Sequence, residues 1–159
     1  MSGSVSGWSY ERVPCTSVRL CYNIIENYKP SALISIERCG ITENDRYLNI
    51  SRQDISNYNA YIDVLFDLHK NTIGIGDGGN EIGMGNLSEQ IKQIKGLPDN
   101  PSSTNVNNLI IASCSNWGGY GLVAALSILV EQNLLISADE AKKLIIKSVD
   151  LGAVEGLTG

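Results

Sequence analysis

The segment Gly74–Gly85, which reads GIGDGGNEIGMG, places six glycines around Asp77, Asn80 and Glu81. Glycines at this density let backbone N–H groups approach a ligand and let the chain adopt positive φ angles. A tight turn would use only one or two glycines and would not explain the polar side chains. This segment, called the glycine loop below, is therefore predicted to bind a small molecule.

The acids of the glycine loop decide which ligand it favours. Residues 74–79 formally match the GxGxxG dinucleotide fingerprint, but Asp77 and Glu81 would repel a pyrophosphate, and the lysine of a P-loop is absent. Backbone donors for a carboxylate, combined with acids for an ammonium, suit a zwitterion better. A divalent metal on Asp77, Asn80 and Glu81 is a further alternative, since these are hard oxygen ligands. A nucleotide-binding oxidoreductase is the least favoured interpretation.

Glu37 and Arg38 form a second polar cluster, directly after the apolar run ALISI at 32–36. The planar guanidinium of an arginine suits bidentate binding of a carboxylate. The alternative is an internal Glu37–Arg38 pair at a solvated strand end. Tyr47 and Arg52 lie in the polar stretch that follows and are candidates to cover the site.

The third cluster is SNWGGYG at 115–121, which supplies Asn116, Trp117, Gly118 and Gly119 at the predicted start of a helix. Helix N-termini attract anions. Ordinary capping with a packed tryptophan is the alternative. Nucleophilic catalysis is poorly supported, because His69 is the single histidine and no base is placed beside Cys39.

Alternating patterns predict the elements that position these clusters. The spacing of apolar residues indicates helices, and short apolar runs bounded by turn residues indicate buried parallel strands. Helices are predicted at 16–28, 60–70, 86 or 88 to 95, 118 or 119 to 133, and 137–149, and strands at 32–36, 72–75 and 109–112. Residues 1–14 are predicted to be a flexible lead-in and 15–159 a single domain.

This order predicts a three-layer α/β/α fold with a mostly parallel sheet. Ligands of such sheets bind beyond the carboxyl ends of the strands, and all three polar clusters follow strands, so they are expected to share one site. Three strands is few for an open sheet. The sequence is therefore expected to represent part of a larger domain.

Composition narrows the class of partner. The formal net charge is −5, from 12 basic and 17 acidic residues, and no basic run is present, which argues against a nucleic-acid partner. No apolar run reaches the length of a membrane span. Four cysteines without a CxxC pair favour a reducing, intracellular compartment. A small-molecule substrate is the predicted partner, and no cofactor is predicted apart from the metal alternative.

Several strings of the sequence together resemble one known family. IERCG at 36–40, RYLNISRQDI at 46–55, TIGIGDGGNEIGMG at 72–85, SNWGGYG at 115–121 and GAVEGLTG at 152–159 occur in this order in the C-terminal domain of D-glutamate cyclases. The resemblance covers roughly residue 28 to the end of the sequence. The family domain begins well before this chain does, so the resemblance implies a truncated copy.

The resemblance implies a carbon–oxygen lyase that converts D-glutamate to 5-oxo-D-proline with loss of water, and a mitochondrial location in eukaryotes. The family's motifs would carry over to the residues already selected. Asp77, Glu81 and Glu37 are the expected catalytic residues. The expected substrate-binding residues are Arg38, Gly78, Gly79, Asn80, Asn116, Trp117, Gly118, Gly119 and Tyr47. The alternative function is a non-catalytic, amino-acid-binding remnant of the same domain.

Overall fold

The computed structural model describes residues 14–154, and the predicted lead-in at 1–14 lies almost entirely outside them. Five helices and three strands are described. In chain order they are α1 Cys15–Tyr28, β1 Leu33–Ile36, α2 Asp63–Leu68, β2 Thr72–Gly76, α3 Ser88–Ile91, β3 Asn108–Ile111, α4 Ser115–Leu129 and α5 Ala138–Asp150. Two 3₁₀ turns, Ser56–Tyr58 and Met84–Leu87, complete the regular structure.

The three strands form a parallel sheet in the order β1-β2-β3. Leu33 pairs with Thr72 and Gly76 pairs with Ile111, so all three strands end at the same edge. Central β2 is almost fully buried, in keeping with its continuous apolar sequence. The predicted α/β class with a parallel sheet is therefore confirmed.

One face of the sheet packs on a compact core. Phe66 from α2, Ile82 from the glycine loop and Val106 are buried together, and Leu33 and Leu109 from the two outer strands pack against them. On the opposite face, Ile34 and Ile36 remain about half exposed. The core therefore lies on the side of the sheet that the glycine loop covers.

Helix α4 begins earlier than predicted, at Ser115 rather than at Gly118 or Gly119, and ends at Leu129 rather than Asn133. Glycines usually weaken a helix, so they favoured a later start. A Cβ on Gly118 would stand 2.6 Å from Cγ2 of Ile75. Gly118 therefore allows the first turn of α4 to lie close against β2, and its role in packing explains why a glycine is tolerated inside the helix.

Other boundaries differ by smaller amounts. Helix α2 is shorter than predicted, and α1 begins at Cys15, one residue before its predicted start, with Pro14 at the N-cap position. Ser137, the predicted first residue of α5, is its N-cap, and its side chain accepts a hydrogen bond from the Glu140 N–H in a capping box. Sequence patterns thus located every strand and every long helix, with errors confined to their ends.

The described chain divides between Gly119 and Tyr120 into two compact units, a division that the sequence patterns did not indicate. The first unit contains the sheet. The second contains most of α4 together with α5, and apolar side chains of α5 such as Leu144, Ile145 and Val149 are exposed. Among residues 14–154, no helix has both the length and the apolar character needed to cross a membrane.

Candidate active site

Three carboxylates, one from the end of β1 and two from the glycine loop, meet at the carboxyl edge of the sheet. Glu37 directly follows β1, Asp77 directly follows β2, and Glu81 lies four residues further along the glycine loop. One carboxylate oxygen from each residue lies within 4.8 Å of the corresponding oxygens of the other two. Glu37 and Asp77 are exposed, whereas Glu81 is buried. The cluster is therefore a concentrated negative site that is open to solvent on one side.

Glu81 is 2% exposed and is bound by the backbone of its own loop. Its Oε1 accepts hydrogen bonds from the N–H groups of Gly78 at 2.8 Å and Asp77 at 3.3 Å, and its Oε2 accepts one from Gly79 at 2.8 Å. Burial raises the pKa of the carboxyl, and the backbone hydrogen bonds oppose that shift. The glycine loop is therefore folded around a carboxylate that belongs to the loop itself.

Such a fold requires backbone freedom at Gly79. This residue has a φ of +94°, a conformation that costs little only for glycine. The N–H groups of Gly78 and Gly79, two residues expected to bind the substrate, donate to Glu81 in this structure. They could reach a ligand oxygen only if the Glu81 carboxylate moved aside or shared them.

A short antiparallel pairing fixes the backbone at Glu81 from the other side. The N–H of Ile82 donates to the carbonyl of Arg38 at 2.8 Å, and the N–H of Gly40 donates to the carbonyl of Asn80 at 2.8 Å. Cys39 and Glu81 are the bridge partners between these two bonds. The segment after β1 therefore holds the glycine loop in register.

Asp77 connects the end of β2 to the start of α4. Its Oδ2 accepts a hydrogen bond from the backbone N–H of Ser115 at 3.0 Å. A negative charge at this point stabilises the partially positive N-terminus of the helix. Asp77 thus has a structural partner as well as an exposed position in the carboxylate cluster.

The SNWGGYG cluster contributes unevenly to this edge. Asn116 and Trp117 are exposed on the first turn of α4, with Trp117 65% exposed, so both are accessible to a ligand. Gly118 is buried against the sheet, and a Cβ on Gly119 would lie 3.6 Å from Cδ1 of Ile36. The two glycines therefore let the helix approach the sheet, while Asn116 and Trp117 face outward.

Arg38 and Tyr47 contact each other and the polar segment that follows β1. The Arg38 guanidinium donates to Oδ1 of Asn59 and to the carbonyl of Ala60, the latter at 3.1 Å, and its Cζ lies 5.9 Å from the centre of the Tyr47 ring. Tyr47 is 0% exposed, and its hydroxyl donates to Asp63. Their roles as substrate contacts stay predictions.

Asn80 and Arg52 line a different depression. The Asn80 side-chain amide donates to the carbonyl of Leu48 at 3.1 Å. Beside it is an open cavity of about 220 Å³, at whose rim Arg52 bonds Asp99 and the carbonyl of Leu97, both at 3.1 Å. Arg52 therefore joins two surface segments at this cavity.

His69 and Cys39 have structural surroundings. The His69 ring nitrogens lie 2.9 Å from the carbonyl oxygens of Pro30 and Asn71, so the ring ties the ends of neighbouring segments together. The Cys39 thiol donates to the carbonyl of Leu48, and burial raises its pKa to about 11. Neither group is prepared for nucleophilic chemistry near neutral pH.

Sequence reasoning missed Asp63 and Thr104. Asp63 begins α2 and is buried, and Thr104 donates its hydroxyl to the Asp63 carboxylate. An acid in the first turn of a helix is common and normally explained by the helix dipole, so the sequence carries no signal for this contact. Thr104 lies in the irregular segment before β3, where no pattern marks it.

Two comparisons relate the chain to known proteins. The family described as D-glutamate cyclase-like, C-terminal, matches residues 9–159 of the chain. Human D-glutamate cyclase, which is named as mitochondrial, is 37% identical over 103 residues. That alignment covers 61% of this chain and 17% of the human protein, so the similarity concerns a limited part of the relative.

The family match spans the whole described sheet, the glycine loop and the start of α4, and it includes all three carboxylates of the cluster. It also includes both described units. On these grounds the chain belongs to the D-glutamate cyclase-like family and corresponds to its C-terminal region.

Proposed function

We propose that the chain binds D-glutamate, or an amino acid of the same kind, at the cluster of Glu37, Asp77 and Glu81, and that it serves a lyase that forms 5-oxo-D-proline. The observation that supports this proposal is the approach of three carboxylates within 4.8 Å at the carboxyl edge of the sheet. Three negative charges at this separation repel one another, and their repulsion is offset when they surround a cation. The ammonium group of an amino acid is such a cation.

The surroundings of the cluster suit the rest of an amino acid. The first turn of α4 begins beside Asp77, which accepts the Ser115 N–H, and the positive end of the helix dipole favours a carboxylate there. The Asn116 amide and the Trp117 ring are exposed on this same turn. A zwitterion therefore finds negative charge for its ammonium and a positive helix end for its carboxylate at one edge of the sheet.

Cyclisation of D-glutamate joins its α-nitrogen to the carbon of its γ-carboxyl group. The new C–N bond forms, one carboxyl C–O bond breaks, and two protons lost by the ammonium leave with that oxygen as water. The reaction therefore needs a group that removes a proton from the ammonium and a donor that stabilises the tetrahedral oxyanion.

Asp77, Glu37 and Glu81 divide this task. The exposed carboxylates of Asp77 and Glu37 bind the ammonium and accept its proton. Glu81 has a raised pKa, which favours proton transfer, but its oxygens are held by the loop amides. When the Glu81 carboxyl is protonated, its hold on the Gly78 and Gly79 N–H groups weakens, and these donors become available to the oxyanion.

A divalent cation is the second candidate for the cluster. Sequence reasoning placed one on Asp77, Asn80 and Glu81, whereas the structure groups Glu37 with the two acids. Oxygen ligands of this kind suit Mg²⁺ or Mn²⁺. A bound cation would draw the substrate carboxyl toward Asp77. Titration of the wild type with Mn²⁺ should then show one site that Glu37→Gln abolishes, and equal binding by both would remove this candidate.

Non-catalytic amino-acid binding is the alternative from a different class, because the chain matches only 17% of the human relative. Incubation of the 159-residue chain with D-glutamate and L-glutamate, followed by chiral chromatography, distinguishes the two. We expect 5-oxo-D-proline from D-glutamate only. Calorimetric binding of D-glutamate without product would instead support the binding function, and neither binding nor product would reject the proposal.

Glu81→Gln tests the role of the loop acid, and Glu89→Gln is its matched control. Glu89 is an exposed glutamate that bonds Lys92, away from the cluster. We expect turnover to fall at least a hundredfold with Glu81→Gln, the usual effect of losing a general acid or base, and to stay unchanged with Glu89→Gln. An undiminished rate would remove Glu81 from the mechanism.

We also propose a mitochondrial location, which rests on the human relative's name alone. A fluorescent fusion of the full-length protein in its native cells should coincide with a mitochondrial marker. A diffuse cytoplasmic signal would contradict this location without bearing on the site.

A further inference from the structure

Asp63 is a buried acid outside the carboxylate cluster. It is 6% exposed, and its carboxylate accepts hydrogen bonds from three donors, two on the polar segment after β1 and one on the segment before β3. These donors are the backbone N–H of Ile41, the hydroxyl of Tyr47 and the hydroxyl of Thr104. A buried carboxylate is costly without partners, and these three hydrogen bonds offset that cost.

The hydrogen bond between Ile41 and Asp63 connects Asp63 to the segment that pairs with one side of the glycine loop. Ile41 N–H lies 2.9 Å from Oδ1 of Asp63. The preceding residue, Gly40, donates its N–H to the carbonyl of Asn80, and the carbonyl of Arg38 accepts from Ile82. Asp63 therefore fixes the end of the segment whose pairing determines the backbone position of Glu81.

The hydrogen bond between Thr104 and Asp63 connects Asp63 to the other side of the glycine loop. The Thr104 carbonyl accepts hydrogen bonds from the N–H groups of Gly83 at 2.9 Å and Gly85 at 3.2 Å. Its hydroxyl donates to Asp63 at the same time. The second half of the glycine loop is therefore held by a residue that Asp63 holds in turn.

The hydrogen bond between Tyr47 and Asp63 connects Asp63 to Arg38. The Tyr47 hydroxyl donates to Oδ2 of Asp63, and its ring lies beneath the Arg38 guanidinium. Such a cation–π contact places a guanidinium with little freedom when the ring itself is fixed. Through Tyr47, Asp63 therefore influences the position of Arg38, the arginine expected to bind a substrate carboxylate.

We propose that Asp63 is the positioning residue of this site: without touching a ligand, it sets the glycine loop through Ile41 and Thr104, and Arg38 through Tyr47. The proposal rests on the proposed function for its kinetic consequence only. Its structural consequence, that each bond fixes a different part of the site, can be measured whether or not the chain turns over D-glutamate.

Single-bond variants test this better than removal of Asp63, which could unfold the chain. Thr104→Val removes one donor at nearly constant volume, and Tyr47→Phe removes another. Thr42→Val is the matched control, because Thr42 is also buried but donates its hydroxyl to the carbonyl of Arg46. Amide hydrogen exchange, resolved by NMR, gives the readout at each position.

We expect Thr104→Val to raise the exchange rates of the Gly83 and Gly85 amides about tenfold, the usual scale for losing one hydrogen bond to a charged group. The amide of Ile75 in β2 should not change, and Thr42→Val should leave all three amides unchanged. Unchanged rates at Gly83 and Gly85, or an equal increase at Ile75, would overturn the proposal in favour of a general stabilising role.

Kinetics supply the second readout. Tyr47→Phe should raise KM for D-glutamate several-fold with a smaller change in kcat, because it loosens Arg38, while Thr104→Val should mainly lower kcat. If both variants changed KM and kcat in the same proportion, Asp63 would not act on Arg38 and on the glycine loop through separate hydrogen bonds. If the wild type forms no product, the proposed function fails, and the exchange rates still decide whether Asp63 positions the loop.

Discussion

The Asp77 carboxylate accepts a hydrogen bond from the backbone N–H of Ser115 at 3.0 Å, across 38 positions of sequence. This bond joins the end of β2 to the start of α4 at the edge where Glu37 and Glu81 also lie. One side chain therefore both anchors a helix N-terminus and contributes charge to the proposed ammonium site.

Asp77→Asn separates these two roles. The asparagine oxygen can still accept the Ser115 N–H, but the negative charge is lost. We expect the free energy of unfolding to fall by only about 0.3–1 kcal/mol, the scale of a helix-dipole interaction. Turnover of D-glutamate should fall about a hundredfold or more. Retained turnover, measured beside urea unfolding of the same sample, would exclude Asp77 as proton acceptor.

Gly118→Ala tests the close approach of α4 to the sheet. The added methyl group would meet Cγ2 of Ile75 at 2.6 Å, and overpacking of this kind costs about 1–3 kcal/mol. Gly121→Ala is the control within the same helix, since nothing lies within 4 Å of its added Cβ. That variant should be stabilised by up to about 1 kcal/mol. If both variants changed the free energy of unfolding equally, the close contact between α4 and Ile75 would not be the reason that position 118 requires glycine.

The titration of Glu81 gives a pH dependence with a defined sign. Burial raises its pKa above the usual 4.5, so the folded state binds this proton more tightly than the unfolded state. The stabilisation that the protonated Glu81 carboxyl contributes to the folded state is therefore fully present below pH 4.5. It is lost as the pH rises through the pKa of Glu81 in the folded protein.

Glu81→Gln cannot titrate and lacks this component. The difference in unfolding free energy, wild type minus variant, should decrease as the pH is raised from 4.5 toward neutrality. Taking the difference removes the contributions of groups that titrate alike in both proteins. A difference that stays flat or increases would show that the native pKa of Glu81 is not raised.

Cys39 should be a slow thiol. Its pKa of about 11 leaves about one part in a thousand as thiolate at pH 8, whereas Cys15 is exposed. We expect iodoacetamide to modify Cys15 first, and the rate at Cys39 to rise about tenfold per pH unit between about pH 7 and 9. Mass spectrometry of quenched samples resolves the two sites. Modification of both at one rate would contradict the buried environment of Cys39.

Local patterns predicted the strands and the position of the candidate site well. The run ALISI forms β1, and the run that leads into the glycine loop forms β2, which is parallel to it. Short apolar segments between turn residues are most readily buried as strands of a parallel sheet. Since parallel strands end at one edge, Glu37 and Asp77 could be expected to lie close together.

Long-range contacts could not be predicted in this way. The bonds of Asp63 to Ile41, Tyr47 and Thr104 join residues that are 16 to 41 positions apart, and no periodicity encodes them. The early start of α4 was missed because Gly118 opposes a helix locally and is favoured only by contact with Ile75. The use of the Gly78 and Gly79 amides by Glu81 likewise depends on how the loop closes.

The most direct test of the central claim is calorimetric titration of D-glutamate into the wild type and into the double variant Glu37→Gln with Asp77→Asn. The double variant Asp139→Asn with Asp150→Asn, which changes two exposed acids of α5, is the control for net charge. We predict that the double variant binds at least a hundredfold more weakly, since two charged partners of the ammonium are removed, while the control binds as the wild type does. Equal affinity of the double variant and the wild type would contradict an ammonium site at the carboxylate cluster.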